Sequence, residues 1–538
     1  MQNTNGRSYA ILAATVLVLS RSASIAQMQP LKIGDGSDWR FVTSQWKDQD
    51  GQIVGSKTGD GDGLQGYCLA FNKKLAYSDV QAEFTVCMQS GHADIGLIVR
   101  AQDPTHYYLI HFPQCGQGYR AQHFWAAVSK ADGSGYLRLL KVQLVPRVAS
   151  NPFGIAHKCR VKVEGNRIQA WLNGFPAIDV TDDTYKAGYV GLGGFEKFQH
   201  GTVSVGGEAV QVKPFDGNIP QVKNWFVPFS GCGTQQGSVS LVKTSAGTIL
   251  CSFSSSTGFY LARSSDGGKS WDARKAPDHF PGGLTLLKDG RLVGITLSDK
   301  GGEWSESDDD GTTWSTPVQL SIEKPPTLKA FETGWPLQLT DGTLIRFGLG
   351  GAVGSAEANR STQWGAVHTQ AFSTRSTDGG KTWSKPTNLD TDRPEMGNLD
   401  LTEPVAFETR DGRIMCLIRP IYSPWMWETW STDKGKSWGP CVRGPFAGWA
   451  PSAPVRTQNG AVVFPTRFPG LTLHATRDDG LTWDTGTYID TSIWAMGALC
   501  EIEPNVVLFL YMDSWRDKIR GQFFQMTPGG PIPIRPPA

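Results

Sequence analysis

Five stretches of this chain, SSDGGKSW (264–271), SDDDGTTW (307–314), STDGGKTW (376–383), STDKGKSW (431–438) and TRDDGLTW (476–483), share the pattern Ser/Thr-x-Asp-x-Gly-x-x-Trp. The Ser and Asp side chains of this octet can bind nearby backbone N–H groups, and its Gly supplies the positive φ of a tight turn. The Trp then packs into the core of its own sheet. Successive tryptophans are 43, 69, 55 and 45 residues apart, which is typical of a repeating β unit.

The second half of the chain divides into six units that each begin with a strand, a turn and a second strand. Most of these turns contain Asp-Gly or Asn-Gly, the strongest short hairpin signal, and five of the six units continue into the octet. We therefore predict a six-bladed β-propeller over residues 226–530. The units start near Ser238, Gly283, Trp335, Glu403, Ala453 and Gly497.

The first half, residues 34–211, has no octet and alternates apolar and polar residues in short segments between Gly, Asp and Asn turns. The fragments GLIVRAQDPTHYYLIHF (96–112) and HKCRVKVEGNRIQAWLNGFPAIDVTD (157–182) resemble the concanavalin-like jelly-roll domains that accompany secreted carbohydrate-active enzymes. The chain is therefore predicted to be all-β, with a lectin-like β-sandwich before the propeller. Four residues are either contacts for a sugar or, as we favour, packed side chains: Arg100, Tyr107, Tyr108 and Trp171.

The remaining segments are short. An apolar run, Ala10–Ser20, follows Arg7 and precedes Ser24-Ile25-Ala26, so we expect residues 1–26 to be a secretory signal and the protein to be secreted or periplasmic. The alternative is a membrane anchor, for which the run is short. Residues 212–225 are predicted to be a linker, and the Pro-rich tail 531–538 is predicted not to form a strand ladder.

The composition limits the possible partners. The chain has 51 basic and 50 acidic residues, which argues against a nucleic-acid or membrane-surface partner, and no span is expected in the mature chain. Nine cysteines occur without a CxxC motif or a Cys/His cluster, so neither a metal site nor a cofactor is predicted. Pairing among Cys68, Cys87, Cys115 and Cys159 stays open, as does the oligomeric state.

The octets are similar to the Asp boxes of the sialidase superfamily, and six units match the blade number of that family. The resemblance covers roughly residues 226–530 and implies a glycan-processing enzyme. Members of the family bind a sugar carboxylate with three arginines, use a Tyr activated by a Glu as the nucleophile, and use an Asp as the general acid/base. The Asp boxes themselves lie on the outer rim of that fold, so they indicate the fold rather than the reaction.

Three positions of the fourth and fifth units match this pattern. Glu403 opens the fourth unit and resembles the activating Glu, and Arg419 ends the same hairpin and resembles the second arginine. Both ends of such a hairpin point to one face of a propeller, so the two side chains can converge, and the alternative is a cross-strand salt bridge. Arg467 lies where the third arginine of the family lies, and the alternative is a surface strand residue.

The chain departs from the family at three other positions. Ser238-Val239-Ser240 stands where the first arginine is expected, and the segment Ser254–Tyr260 has no carboxylate where the acid/base Asp is expected. Met496 stands where the nucleophilic Tyr would begin the sixth unit. Tyr511, at the far end of that hairpin, is the replacement candidate for catalysis, or a packed aromatic.

Other residues can complete a site. Asp400 with Glu403 would form a carboxylate pair that divides the acid and base roles. His368 lies in a long insertion of the third unit, residues 348–370, that either covers a pocket or is a solvated loop. Trp425 and Trp494 lie at the starts of units, where aromatic rings stack on sugars. Three further polar candidates are Asp490, Asp513 and Arg520.

These residues favour a secreted, sialidase-like glycoside hydrolase that removes a terminal, acidic sugar from a glycan or glycoconjugate. In this hypothesis Glu403, Asp400 and Tyr511 are catalytic. The substrate-binding residues are Arg419, Arg467, His368, Trp425 and Trp494. The alternatives are a non-catalytic carbohydrate-binding propeller and a protein-interaction scaffold, which would need an apolar patch on the axial face of the propeller.

Overall fold

The computed structural model describes residues 27–536, apart from 43, 59–66, 89–91, 116–122, 146–153, 196–197, 215–223, 233–238, 256, 297–301, 325–327, 353–368, 390–400, 421–424, 449–450, 492–495 and 514–517. Every regular element in these residues is a β-strand, which confirms the all-β prediction. No helix that could cross a membrane occurs in this part of the chain. Among the cysteines whose side chains the structure describes, Cys159, Cys251, Cys416 and Cys500 are free thiols.

The first half contains fifteen strands, β1 to β15. In chain order they are Gln29–Leu31, Trp39–Val42, Ser44–Gln49, Gln52–Lys57, Cys68–Met88, His92–Asp103, His106–His111, Gln114–Cys115, His123–Asp132, Leu137–Val145, Ala156–Glu164, Arg167–Leu172, Phe175–Thr181, Gly188–Phe195 and Phe198–Ala209.

These strands form a two-layer sandwich. In the first sheet the neighbouring strands are β15, β5, β11, β12 and β13. The second sheet runs through β14, β6, β7, β9 and β10. The long strand β5 belongs to both layers, because its first half pairs with β14 and its second half with β11 and β15. Phe84 and Val161 of the first sheet pack against Leu97 and Val128 of the second in a shared core.

The second half contains twenty-five strands, β16 to β40. In chain order they are Trp225–Ser230, Ser240–Lys243, Ile249–Ser255, Gly258–Ser264, Asp272–Lys275, Gly283–Leu286, Leu292–Ile295, Glu303–Ser307, Val318–Gln319, Leu328–Gln338, Leu344–Ala352, Thr369–Ser376, Thr387–Asn388, Leu401–Glu408, Ile414–Pro420, Trp425–Ser431, Val442–Ala447, Val455–Arg456, Val462–Thr466, Leu471–Thr476, Thr487–Asp490, Met496–Glu503, Val506–Asp513, Lys518–Thr527 and Gly530–Ile534.

The strands of this half form a propeller. Four separate sheets each contain four consecutive antiparallel strands, β17–β20, β21–β24, β25–β28 and β29–β32, and a fifth contains β16 and β37–β40. The strands β33–β36 pair consecutively in the same order, but β36 also pairs with β10, so this unit is continuous with the sandwich. The structure therefore shows five separate propeller sheets where the sequence predicted six blades.

In five of the units the first strands contact one another, which places them innermost: β17 contacts β21 and β37, β21 contacts β25, and β33 contacts β37. The strand β16 comes from the start of this half and pairs with β39 near its end, so one sheet joins both ends of the propeller. The octet lies between the third and fourth strands of its unit.

The tail forms a strand, contrary to the prediction. In β40, Ile532 is opposite Gln525 and Pro533 is opposite Phe524 of β39. Proline lacks an N–H donor and is tolerated at the edge of a sheet, where no further strand needs that donor. The prediction was wrong because it treated the prolines as excluding a ladder altogether.

All five octets share the Ser/Thr–Asp and Ser/Thr–Gly hydrogen bonds, whereas the Trp438 indole of the fourth octet donates to the Ser373 hydroxyl and not to its own glycine carbonyl. In the third octet the Ser376 hydroxyl donates to Asp378 at 2.7 Å and accepts from the Gly380 N–H at 2.9 Å. Asp378 also accepts the backbone N–H of Thr382 at 2.9 Å, and the Trp383 indole N–H donates to the Gly380 carbonyl at 3.0 Å. The other four octets repeat the Ser/Thr–Asp and Ser/Thr–Gly bonds.

The octet glycine lies against the core of the neighbouring unit. A Cβ added to Gly380 would be 2.9 Å from the Trp304 ring of the preceding unit, and one added to Gly268 of the first unit would be 2.6 Å from Leu508 of the last. Both glycines have positive φ, so the turn geometry and the packing each favour glycine. The octets of the second, fourth and fifth units approach their preceding units in the same way, through Gly311, Gly435 and Gly480.

We expect Gly380→Ala to destabilise the propeller more than Gly412→Ala. Both glycines have a φ near 90°, so alanine at either position costs about 1–2 kcal/mol from the backbone. Only at position 380 does the added methyl meet a ring, which adds about 1–3 kcal/mol of overpacking. Chemical denaturation of both variants measures the difference, and equal unfolding midpoints would contradict the packing role of the octet glycine.

Because of the octet aspartates, we expect the folded protein to lose stability in acid. Hydrogen bonds from the side chain and then the backbone of Thr382 lower the pKa of Asp378 to about 2, and Thr313 does the same for Asp309. Because the folded-state pKa is depressed, this stabilisation is complete above pH ~4 and is lost as the pH falls through about 2. The urea concentration at the unfolding midpoint should therefore decrease as the pH is lowered from ~4 to about 2. This decrease should be less steep in a Thr313→Val, Thr382→Val variant. An identical acid limb in the two proteins would exclude this mechanism.

Candidate functional site

Glu403 and Arg419 form an ion pair in which the arginine is buried and the carboxylate is partly buried. The Arg419 Nη1 donates to Glu403 Oε2 at 2.9 Å, and their side chains are 3% and 14% exposed for Arg419 and Glu403 respectively. A register shift between Thr402 and Val405 marks a β-bulge at Glu403, whose φ is 45°. A left-handed backbone at a non-glycine residue in a bulge is a local strain that re-aims the side chain, and here it directs the carboxylate to the guanidinium. The two side chains converge as predicted, and the contact is also the cross-strand salt bridge given as the alternative, so the catalytic role of Glu403 stays a prediction.

Three candidate side chains occupy the same position along the second strand of three consecutive units: Arg419, Arg467 and Tyr511. The strands β30, β34 and β38 begin at Ile414, Val462 and Val506, and each of the three side chains follows five residues later. All three second strands run in the same direction, so these residues lie at one end of the propeller. Arg419 and Arg467 are 2% and 4% exposed, and Tyr511 has no exposed surface.

Tyr511 belongs to a buried polar network. Its hydroxyl donates to Asp490 Oδ2 at 2.8 Å and accepts from the Gln522 amide at 2.8 Å. Arg520 Nη1 donates to the same Asp490 oxygen at 3.2 Å, and its guanidinium lies 4.4 Å from the centre of the Trp225 ring. Burial, and next the Asp490 charge, raise the pKa of Tyr511 well above its usual range, which disfavours the phenolate that a nucleophile needs.

The sandwich contributes a residue to this network. Tyr136 lies in the turn between β9 and β10, is 3% exposed, and donates its hydroxyl to the Gln522 side-chain carbonyl. Its ring packs in a propeller core cluster with Phe524. Beside it, Arg138 Nη1 donates to the Thr487 hydroxyl at 3.1 Å, and Leu137 pairs with Tyr488. The β9–β10 turn therefore inserts between the last two units of the propeller, a contact that no sequence pattern indicated.

Trp425 lies at a second contact with the sandwich. Its ring is 6.2 Å from that of Trp125, and the Arg443 guanidinium lies 4.1 Å from the centre of the Trp425 ring. Phe468, which follows Arg467, packs against Trp125 with the two ring centres 4.1 Å apart. Trp425 is therefore engaged by protein on at least two sides, and its role in stacking on a sugar stays a prediction.

Three predicted site residues, Asp400, His368 and Trp494, lie outside the described residues, so the carboxylate pair of Asp400 with Glu403 is not tested. The candidates in the sandwich separate into two groups. Arg100, Tyr107 and Tyr108 are at most 3% exposed, as the packing interpretation predicted. Trp171 is half-buried and lines a groove on the outer face of the first sheet.

A Ser-His-Asp arrangement that the sequence did not reveal lies inside the sandwich. His111 Nδ1 is 2.6 Å from Asp94 Oδ2, and its Nε2 is 2.8 Å from the Ser129 hydroxyl. All three side chains are at most 3% exposed, so no substrate reaches the serine and the arrangement is a buried hydrogen-bond network. In the described part of the chain, no three His, Cys, Asp or Glu side chains are grouped as a metal site would require.

Two families match this chain. Residues 284–447 match the BNR repeat-like domain, and residues 32–209 match the 3-keto-alpha-glucoside-1,2-lyase-like domain. The first match falls within the predicted propeller and includes three of the octets, so this part of the chain is similar to a BNR repeat-like domain. The second match falls on the sandwich. No curated protein matches the chain.

Several solved structures are similar in outline. The leech intramolecular trans-sialidase is 13% identical, with 84% of this chain and 94% of that chain covered and a TM-score of 0.39. The NanB sialidase of Streptococcus pneumoniae is 13% identical, with 86% and 95% covered and a TM-score of 0.39. The alpha-L-arabinanase of Penicillium chrysogenum is 17% identical, with 57% and 99% covered and a TM-score of 0.41. Similarity at this level assigns no activity to the chain.

Tyr136→Phe tests the contact between the two halves. The substitution leaves the buried Gln522 carbonyl without the hydroxyl donor, so we expect the propeller to lose about 1–3 kcal/mol of unfolding free energy. Tyr260→Phe removes an exposed hydroxyl contact and should change the free energy by about 0.5 kcal/mol or less. In a double-mutant cycle the effects of Tyr136→Phe and Tyr511→Phe should not add, because both residues bind Gln522. Strict additivity would show that the two tyrosines act independently.

Proposed function

We propose that this protein is a secreted, sialidase-like glycoside hydrolase that removes a terminal acidic sugar from a glycan. The observation that carries the proposal is the Glu403–Arg419 pair, held at 2.9 Å on a strained bulge at the end of the propeller strands. A guanidinium in such a position can bind a sugar carboxylate through two parallel hydrogen bonds, which an ammonium group cannot do.

The proposal gives Arg467 a role beside Arg419. The two arginines occupy the same register in adjacent units, and both are largely shielded from water, where a charged hydrogen bond to a ligand is stronger than in bulk solvent. Glu403 fixes the orientation of Arg419 and supplies the carboxylate for proton transfer or activation of a nucleophile. Asp400 is the proposed second carboxylate, since a hydrolase needs two groups that flank the scissile bond.

We also propose that β33–β36 is a propeller blade, which makes six in all. Its strands pair in the order of the other units, and it contains the fifth octet. The Gly480 turn of this unit approaches Met415 of the preceding unit, as the other octet glycines do in theirs. The pairing of β36 with β10 would then be an addition to a blade and not a departure from the repeat.

The second candidate function is a carbohydrate-binding propeller without catalysis. The burial of Tyr511 favours it, because the only tyrosine proposed as a nucleophile has no exposed surface and a raised pKa. Under this alternative Arg419 and Arg467 still bind an acidic sugar, and Glu403 acts only through Arg419.

The test is release of sugar from a panel of 4-methylumbelliferyl glycosides, the sialoside included, by the wild type, Glu403→Gln and Glu408→Gln. Glu408 is the matched control, because it lies at the other end of β29 and its side chain is 16% exposed, close to the 14% of Glu403. We expect Glu403→Gln to lower kcat/KM on the acidic glycoside by about 100-fold or more, and Glu408→Gln to leave it unchanged.

Each outcome has a defined meaning. Loss of sialoside hydrolysis in Glu403→Gln alone would support sialidase chemistry, and loss for another glycoside would support a different exo-glycosidase. Equal loss in both glutamate variants would remove Glu403 from the site. No turnover of any glycoside, with the folded protein retained on an array of acidic glycans and released by Arg419→Lys, would support the binding protein instead.

A further inference from the structure

A groove of about 520 Å³ lies on the outer face of the first sheet of the sandwich, within the size range of small-ligand sites. We call it the outer groove. Successive residues of a strand point to opposite faces, so the same strands send Phe84 and Val161 into the core and polar side chains into the groove. Six of these lining residues matter here: Glu83, Thr85, Lys158, Arg160, Trp171 and Ser204.

Four of the six form a row across neighbouring strands. Ser204 of β15 is opposite Glu83 of β5, Glu83 is opposite Arg160 of β11, and Arg160 is opposite Trp171 of β12. The Arg160 guanidinium lies 4.0 Å from the centre of the Trp171 ring. This contact holds the guanidinium over the ring and leaves its N–H donors at the edge of the plane free to point sideways.

The two cations of the outer groove differ from the other cations on this face. Lys162 pairs with Glu164 at 2.7 Å, and Arg167 pairs with Asp179. Among the described residues, Lys158 and Arg160 have no carboxylate partner, and both are exposed. An anionic ligand therefore gains charged hydrogen bonds in the groove without breaking an existing ion pair.

We propose that the outer groove binds a sugar residue that carries a carboxylate or a sulfate, within a longer glycan. The Arg160 edge receives the anionic group through two hydrogen bonds, and Lys158 adds a second positive charge. Glu83, Thr85 and Ser204 bind sugar hydroxyls, and the exposed part of the Trp171 ring contacts the apolar face of the sugar. Both carboxylated and sulfated sugars supply this chemistry.

The outer groove is independent of the propeller site. Its strands belong to the first sheet, whereas the propeller residue Tyr488 packs in a separate cluster with Leu109 and Ile98 of the second sheet. The groove and the propeller therefore lie on opposite sides of the sandwich. Binding in the outer groove does not depend on the function proposed for the propeller.

The experiment is titration calorimetry of the whole protein with four probes at constant salt. Tetragalacturonate and a chondroitin sulfate tetrasaccharide supply the carboxylate and the sulfate, cellotetraose is the neutral sugar, and an octamer of deoxythymidine is a polyanion without such sugars. We expect one of the acidic oligosaccharides to bind, and Arg160→Met to weaken that binding roughly tenfold or more.

Two control variants complete the design. Arg167→Met removes a cation of the same face that is paired with Asp179, and it should leave the affinity unchanged. Lys162→Met removes a second paired cation of this face and should also leave the affinity unchanged. The proposal is overturned if neither acidic oligosaccharide binds, if cellotetraose or the deoxythymidine octamer binds equally well, or if Arg167→Met weakens binding as much as Arg160→Met. Preference between the two acidic probes identifies the anionic group.

Discussion

The close approach of each octet glycine to the core of the neighbouring unit is the constraint on which the propeller depends. The hydrogen bonds of Ser376, Asp378 and Trp383 hold the turn in one shape, and the missing Cβ of Gly380 lets that shape rest on Trp304. The repeated turn thus sets the angle between one unit and the next. Its last member, Gly268 against Leu508, joins the first unit to the final one, so the angles must add to a closed ring.

Sequence patterns could predict those features of the structure that depend on residues close together in the chain. The octets and the Asp-Gly turns specify hairpins within a few residues, and the strands they predict are present. The convergence of Glu403 and Arg419 followed from the same hairpin logic. Tyr136 and Gln522 could not be found in this way, because 386 residues separate them and neither stands in a recognisable motif. The prediction for the tail was wrong for a related reason. A strand tolerates proline when no further strand pairs with that edge, and only the tertiary structure shows whether one does.

The ends of the second strands carry both the candidate site and the contacts with the sandwich. Arg467 is followed directly by Phe468, which packs on Trp125, and Tyr511 is linked through Gln522 to Tyr136. Residues that would bind a ligand are therefore held by a second folding unit as well as by their own blades. A chain of hydrogen bonds through Tyr136, Gln522 and Tyr511 thus connects the sandwich to the buried Asp490 and Arg520 of the propeller.

The pairing of β10 with β36 has a consequence during synthesis. Arg138 leaves the ribosome long before Thr487, its partner 349 residues later, so the start of β10 has no partner strand in β36 until the fifth unit is made. An unpaired edge strand is a template for pairing with other chains. In a sandwich that folds before the fifth unit is made, Leu137 and Arg138 at the start of β10 lie at an edge that other chains can pair with. Arg138 and Lys141 place two positive charges on β10, and charged side chains on an edge strand discourage such association.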